Sequence, residues 1–182
     1  MPGMRNRRGD EQQRFTFLPM TEALVSAAEL EVGGDDTRSD PESGLDVQSL
    51  CRLALDVLAG AGIDAGRLDL HFVDEEVMAD LNQEHMGHSG PTDVLSFPLE
   101  LDAADIGPTM LGDIVVCPAV VTRQAAEHVG SVDGEFQLLV IHGVLHVLGH
   151  DHVEPEETLA MQRRERHYLA SVGVEHPDAA PR

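Results

Sequence analysis

The chain has 182 residues, a length typical of one folded domain with or without tails, and its 33 acidic and 12 basic residues give a formal net charge of -21. This charge argues against nonspecific binding along duplex nucleic acid, and two distant cysteines, Cys51 and Cys117, argue against a disulfide framework or a cysteine-based zinc finger. No apolar run approaches the roughly 20 residues of a membrane span and no signal sequence is apparent, so we expect a cytoplasmic protein without membrane contacts.

The composition of the chain predicts three segments. Residues 1–44 are predicted to be a disordered or weakly structured acidic extension, because residues 31–44 are polar and rich in glycine and proline. Within that extension, residues 21–30 have the composition of a short helix. Residues 45–174 have the apolar periodicities of a folded domain, and residues 175–182 are predicted to be a C-terminal tail.

The predicted elements of the domain begin with strands among helices and end with helices alone. Apolar residues at helical spacing predict helices over residues 45–59, 74–85, 119–128, 134–148 and 154–170. Apolar alternation and β-branched residues predict strands over residues 68–73, 93–97 and 111–117. This order favours an α+β fold, in which a small mixed β-sheet is packed with helices around a buried central helix at residues 134–148.

The central helix contains the strongest chemical signal in the sequence. His142 and His146 lie one helical turn apart on one face, so that both imidazoles are able to reach one cation at about 2 Å. Gly149 is expected to end the helix in a left-handed conformation, after which the chain turns and brings His152 back as a third ligand, with the neighbouring His150 as the alternative. Three neutral imidazoles leave a fourth position open, which is typical of a catalytic site with one Zn²⁺ per chain.

The spacing of these histidines is that of the extended zinc-peptidase motif H-E-x-x-H-x-x-G-x-x-H, which predicts a zincin-like helix with a three-histidine metal site. One residue departs from that motif. The peptidase general base is a glutamate, and Gly143 stands at its position here. The sequence therefore indicates a metal hydrolase and disfavours ordinary proteolysis. Asp151 is a candidate to orient one of the ligand imidazoles by a hydrogen bond.

Residues 142–152 read H-G-x-L-H-x-x-G-x-D-H, which resembles the signature of the YbeY family of rRNA maturation factors and single-strand-specific endoribonucleases. The segments PTDVLSFP at residues 91–98 and LGDI at residues 111–114 agree with that family, and the resemblance extends over residues 45–172. It implies a cytoplasmic, zinc-dependent ribonuclease in 16S rRNA 3′-end maturation and ribosome quality control. Its implied partners are single-stranded RNA, 16S rRNA and the ribosome or ribosomal proteins. Its implied zinc ligands are His142, His146 and His152.

Other site residues follow from chemistry and from one departure from the family. Asp113 is a candidate to orient water or act as a base, although a carboxylate that bonds only to backbone is an equally good interpretation. Many family members read Y-R-G-K-D before PTDVLSFP, whereas Met86 stands at the arginine position here. His85 and His88 are candidates to replace that cation when they are protonated. The basic residues predicted to face RNA, for which a solvated helix face is the alternative, are Arg123, Arg163, Arg164 and Arg166.

Two other functions remain open at this point. Met86 and the negative charge favour a non-catalytic ribosome-assembly factor whose metal only holds the fold. The histidine spacing suggests a metallopeptidase, which Gly143 opposes. Metal removal separates a structural site from a catalytic one, because a protein with a structural metal unfolds when the metal is lost.

Overall fold

The computed structural model describes residues 23–27, 29–39, 44–99, 109–125, 131–150 and 154–176. In these residues the strands are β1 (Ala23–Ala27), β2 (Glu29–Asp36), β3 (Ala65–Phe72), β4 (Val94–Pro98) and β5 (Met110–Val116). The helices are α1 (Val47–Gly60), α2 (Glu75–Met86), α3 (Pro118–Ala125), α4 (Val132–Val147) and α5 (Pro155–Ser171). None of these helices is both long enough and apolar enough to cross a membrane.

The five strands form one mixed sheet in the order β1-β2-β3-β5-β4. The central pairs β2/β3 and β3/β5 are parallel, and the outer pairs β1/β2 and β4/β5 are antiparallel. This architecture confirms the predicted mixed sheet packed with helices.

The two faces of the sheet differ in character. Leu68, Leu70 and Ile114 are fully buried on one face, which α1 and α4 cover with aliphatic side chains. The other face presents the alternate residues of the same strands, including His71 of β3 and Asp113 of β5. His71 and Asp113 therefore lie on the side of the sheet that faces away from α1 and α4.

Helix α4 is the buried central helix that the sequence predicts. Ser131 caps its start, because the Ser131 side chain accepts a hydrogen bond from the backbone N–H of Gly134 at 3.0 Å. Gly149 has a φ of +81° and ends the helix, and the backbone N–H of His150 donates to the carbonyl oxygen of Leu145 at 2.9 Å. The predicted glycine stop is confirmed.

The N-terminal segment differs from the prediction. The helix predicted over residues 21–30 is wrong where the structure describes it, since β1 and β2 occupy residues 23–27 and 29–36. The unstructured chain predicted over residues 31–44 is wrong for residues 31–36, whereas residues 37–39 and 44 are in neither a helix nor a strand. Strand β2 pairs in parallel with β3 along its whole length, which buries Leu30 and Val32. A Cβ at Gly34 would lie 2.5 Å from the Cys51 sulfur, so the glycine allows α1 to pack directly on the strand. Tertiary pairing outweighs the polar composition here.

The remaining predicted elements are confirmed with small shifts at their ends. The predicted helix over residues 119–128 begins at Pro118 and is described to Ala125. The acidic loop expected between β4 and β5 and most of the predicted C-terminal tail lie outside the described residues.

Candidate metal centre

His142 and His146 face each other across one turn of α4. Their Nε2 atoms lie 3.0 Å apart, and their ring planes meet at 83°. Two nitrogen ligands of one tetrahedral zinc ion lie about 3.3 Å apart, given Zn–N distances near 2.0 Å. The pair therefore needs only a small adjustment to share one cation, and the structure brings the two imidazoles together as their spacing predicts.

The third predicted ligand, His152, and the predicted orienting residue, Asp151, lie outside the described residues. In the part of the chain that the structure describes, no group of three or more histidine, cysteine, aspartate or glutamate residues is arranged to hold a metal ion. The alternative ligand, His150, is half-buried, and burial together with the charge of Arg164 lowers its pKa. The three-histidine site therefore remains a prediction, and two of its members are together in the structure.

Glu165 of α5 lies behind the histidine pair and was not among the predicted site residues. Nδ1 of His142 donates a hydrogen bond to Glu165 Oε1 at 2.7 Å, and Nε2 of His176 donates to Oε2 at 2.8 Å. Burial acts to raise the pKa of Glu165, but the two histidines outweigh burial and lower it. Because its Nδ1 proton points to a carboxylate, His142 keeps the Nε2 lone pair for a cation.

A sequence signal for Glu165 exists, although it is weak. Glu165 lies 23 residues from His142, and no spacing rule connects positions that far apart. It does lie between Met161 and Leu169 at intervals of four residues, and all three are buried on one face of α5. A glutamate on an otherwise apolar helical stripe indicates a buried partner, although it does not identify that partner.

A cavity of about 350 Å³ opens beside the histidine pair, between α4 and the edge strand β4. Its lining includes His142, His146, Ser96, Asp93 and Met86. Both histidines therefore reach a space that is large enough for a small organic group or part of a polymer.

Gly143 follows His142 and faces the sheet. A Cβ at this position would lie 2.9 Å from a methyl carbon of Ile114 and 3.2 Å from the Ser96 hydroxyl. The glutamate of the zinc-peptidase motif has no room here unless β4 and β5 move. Close packing of α4 on the sheet therefore accounts for the glycine, and it weighs further against a peptidase.

The residues at the end of α2 are placed differently from one another. Met86 lines the cavity, whereas the ring of His85 packs edge-on against Phe97 with the centroids 5.0 Å apart. Neither His85 nor His88 is among the described residues that line the cavity. The thioether of Met86 therefore borders the cavity, and the predicted cations His85 and His88 do not.

The structure does not bring Asp113 to the histidine pair. Ile114 packs beneath Gly143, so the preceding side chain points to the opposite face of the sheet. There an Asp113 oxygen lies 2.9 Å from His71 Nε2, and an Asp35 oxygen lies 2.8 Å from His71 Nδ1. Burial acts to lower the pKa of His71, but the two carboxylates outweigh it and raise the pKa to about 9. This geometry does not support Asp113 as a base at the metal centre, because the residue is occupied as a partner of His71.

The four arginines predicted to face RNA do not surround the cavity. Arg123 forms an exposed ion pair with Glu75 at 2.7 Å. Arg163, Arg164 and Arg166 are exposed on α5 and are not among the described residues that line the cavity. Contact of these arginines with RNA remains a prediction.

Comparison with known proteins decides the family. Residues 39–173 match the family model described as Endoribonuclease YbeY. The chain belongs to the YbeY family of endoribonucleases. It is 46% identical over 112 residues to the Endoribonuclease YbeY of Cutibacterium acnes, a match that covers 59% of this chain and 72% of that relative. It is 42% identical over 146 residues to the Endoribonuclease YbeY of Salinispora tropica, with 71% and 91% covered.

A solved structure shares the fold of the chain. The solution structure of a Thermotoga maritima protein matches with a TM-score of 0.51 and 26% identity, over 82% of this chain and 99% of the other. Membership of the YbeY family makes the chain an endoribonuclease, a hydrolase that acts on phosphodiester bonds of RNA. The resemblance inferred from the histidine signature is thereby confirmed.

Proposed function

We propose that the chain is a zinc-dependent, single-strand-specific endoribonuclease that acts in the cytoplasm in 16S rRNA 3′-end maturation and ribosome quality control. One observation supports this most: the Nε2 atoms of His142 and His146 converge at the wall of a cavity, and Glu165 holds the first of these rings from behind. The third ligand that we propose is His152.

The residues present suit a divalent cation with nitrogen ligands. A zinc ion bound here would supply Lewis-acid stabilisation to a phosphodiester at the open coordination position. The protein supplies orientation: Glu165 fixes the tautomer of His142, and Gly143 lets α4 approach the sheet. The Ser96 hydroxyl at the cavity wall is placed to donate a hydrogen bond to a phosphate oxygen.

The charge of the chain bears on how RNA reaches this site. A net charge of -21 repels a polyanion at long range, so association is expected to speed up as salt screens the repulsion. This acidity also suits docking on a basic ribosomal protein, which would deliver the RNA locally. We therefore include the ribosome or ribosomal proteins among the proposed partners.

Cleavage of a 5′-labelled single-stranded RNA by the zinc-loaded chain tests this proposal. The wild type is compared with His146→Ala, with a duplex of the same sequence, and with His167→Ala as a control at an exposed histidine of α5. We expect the wild type and the control to cut the single strand, and His146→Ala to cut neither RNA. A folded, zinc-loaded wild type that cuts no RNA at any salt concentration would overturn the proposal.

Met86 at the cavity wall favours a second candidate, a ribosome-assembly factor in which the metal serves only the fold. The two candidates differ when a chelator removes the metal. The enzyme should keep its secondary structure, because α4 is held mainly by an aliphatic core in which its Leu139, Ile141 and Val144 are fully buried. A chain that unfolds on chelation would favour the assembly factor.

A further inference from the structure

We propose that His176 is a positioning residue of the metal centre, which acts through Glu165 to hold His142 in the orientation that binds metal. The inference deepens the proposed function and rests on it. It also assigns a role to the start of the predicted C-terminal tail, residues 175–182.

The chain after α5 folds back to place His176. Gly173 has a φ of +77°, and the backbone N–H of Val174 donates to the carbonyl oxygen of Leu169 at 3.0 Å, so the chain reverses at the helix end. His176 then meets Glu165, 11 residues earlier in the chain, with its side chain only 7% exposed. This contact is buried and specific, unlike the contacts of a free tail.

Each oxygen of the Glu165 carboxylate is bonded to a different imidazole. Oε1 accepts from His142 at 2.7 Å and Oε2 accepts from His176 at 2.8 Å. The terminal torsion of a glutamate is soft, so a carboxylate held at one oxygen is able to rotate about its last bond. A donor at the second oxygen fixes the carboxylate plane. His176 therefore limits the rotation that would otherwise let the ring of His142 turn away.

Burial makes the second hydrogen bond matter. Glu165 is 5% exposed, in an interface between α4 and α5 that is otherwise largely apolar. A buried carboxylate oxygen that loses its donor is costly, and it regains a partner only by moving or by admitting water. Either change alters the hydrogen bond that orients the metal ligand. Removing His176 should therefore change the orientation of the His142 ring, although the two imidazoles bond to different oxygens of Glu165.

Metal titration of the full-length chain tests the inference without RNA. The probe is Co²⁺, whose visible absorption reports the coordination geometry, followed by competition with Zn²⁺. His176→Ala should weaken metal binding about tenfold, the lower end of the range for partners of metal ligands, and should alter the Co²⁺ spectrum. His176→Gln should restore much of the affinity, because its amide N–H is able to donate to Oε2. The control, His167→Ala, should leave affinity and spectrum unchanged.

The outcomes separate this inference from the proposed function. Weakened Co²⁺ binding in His176→Ala with rescue in His176→Gln supports the inference, even if no variant cleaves RNA. Wild-type affinity and spectrum in a folded His176→Ala would overturn it. Equal weakening by both substitutions would also overturn it, since only a general packing role predicts no rescue. If His176→Ala does not fold, as judged by circular dichroism, His176→Leu takes its place, because leucine fills the space but donates no hydrogen bond to Oε2; wild-type affinity and spectrum in a folded His176→Leu would overturn the inference.

Discussion

Two histidines on opposite sides of the sheet are bonded to carboxylates in different ways. His71 lies between two of them, with Nδ1 2.8 Å from Asp35 and Nε2 2.9 Å from Asp113. His142 meets Glu165 at Nδ1, at 2.7 Å, while its Nε2 lies 3.0 Å from a second imidazole one turn along α4. Both rings are buried, so the difference lies in what faces the second nitrogen.

The partner of the second ring nitrogen determines which histidine is able to bind a metal. An imidazole with a carboxylate oxygen within 3 Å of each nitrogen favours its doubly protonated form, and the pKa of His71 is raised to about 9 although burial opposes the charge. It has no lone pair for a cation. An imidazole that meets one carboxylate and one imidazole keeps a lone pair at the second nitrogen, as His142 does. A carboxylate partner alone does not distinguish the two roles.

The largest expected effect comes from removing His142, one of the proposed metal ligands. His142→Ala should reduce RNA cleavage to background, because it deletes a metal ligand and leaves Glu165 with His176 alone. His71→Gln, the matched change on the other face of the sheet, should cleave within a few-fold of the wild type. Single-turnover cleavage of labelled single-stranded RNA measures both. Equal loss in a folded His71→Gln would contradict the division between the two histidines.

A large effect on stability is expected on the other side of the sheet. His71→Ala should lower the free energy of unfolding by about 3 kcal/mol, because Asp35 and Asp113 are left without their cation. Denaturant unfolding of the metal-free chain measures this loss, with His167→Ala as a control that should change stability by about 0.5 kcal/mol at most. Adding Asp113→Asn to His71→Ala should recover part of the loss. Equal stability of wild type and His71→Ala would show that the carboxylates need no cation.

The raised pKa of His71 predicts a loss of stability at alkaline pH. The pKa of His71 is about 9 in the folded chain, compared with an ordinary value of 6.5. Its protonation therefore contributes fully to the free energy of unfolding below about pH 6.5, and this contribution is lost as the pH rises through 9. A shift of this size corresponds to at most about 3 kcal/mol. Unfolding of the metal-free wild type and His71→Gln at pH 6.5 and pH 9.5 checks this. The same pH dependence in both would contradict the assignment of the proton to His71.

A smaller effect is expected where a thioether borders the cavity. Met86→Arg places a fixed cation beside the histidine pair and should tighten single-stranded RNA binding about fivefold at low salt. Each phosphate contact should also steepen the dependence of log affinity on log salt by about 0.7. Fluorescence anisotropy over a salt series measures both quantities, with Met86→Leu as the neutral control. Indistinguishable results for arginine and leucine would show that phosphate does not approach this wall.

The part of the site that follows local rules could be predicted from the sequence. The spacing of His142 and His146 determines that they share one face of a helix, and Gly149 has the conformation expected of a helix stop. The partners of these histidines follow no local rule. Glu165 and His176 reach the site only because α5 packs on α4 and the chain then folds back. Their contacts with the histidine pair could therefore not be predicted from the sequence.

The N-terminal strands show the same limit in the fold. Residues 31–36 are rich in glycine and acidic residues, which is typical of a linker. They nevertheless belong to β2, which pairs with β3 along its whole length. Its Asp35 is the cross-strand neighbour of His71, which compensates the charge. Asp113 lies on the same face as His71 because the next residue, Ile114, packs against Gly143 on the other face. The register between strands determines which of their residues become neighbours, and the sequence of a single strand does not specify that register.

The amount of zinc that the chain retains is the most direct test of whether the histidine pair of α4 binds the metal. Wild type, His71→Gln and His142→Ala are loaded with zinc, dialysed against metal-free buffer and measured by atomic emission, with folding checked by circular dichroism. We expect one zinc ion per chain in the wild type and in His71→Gln, and a small fraction of that in His142→Ala. One zinc ion per chain in a folded His142→Ala would contradict the assignment of the metal centre to the histidine pair of α4.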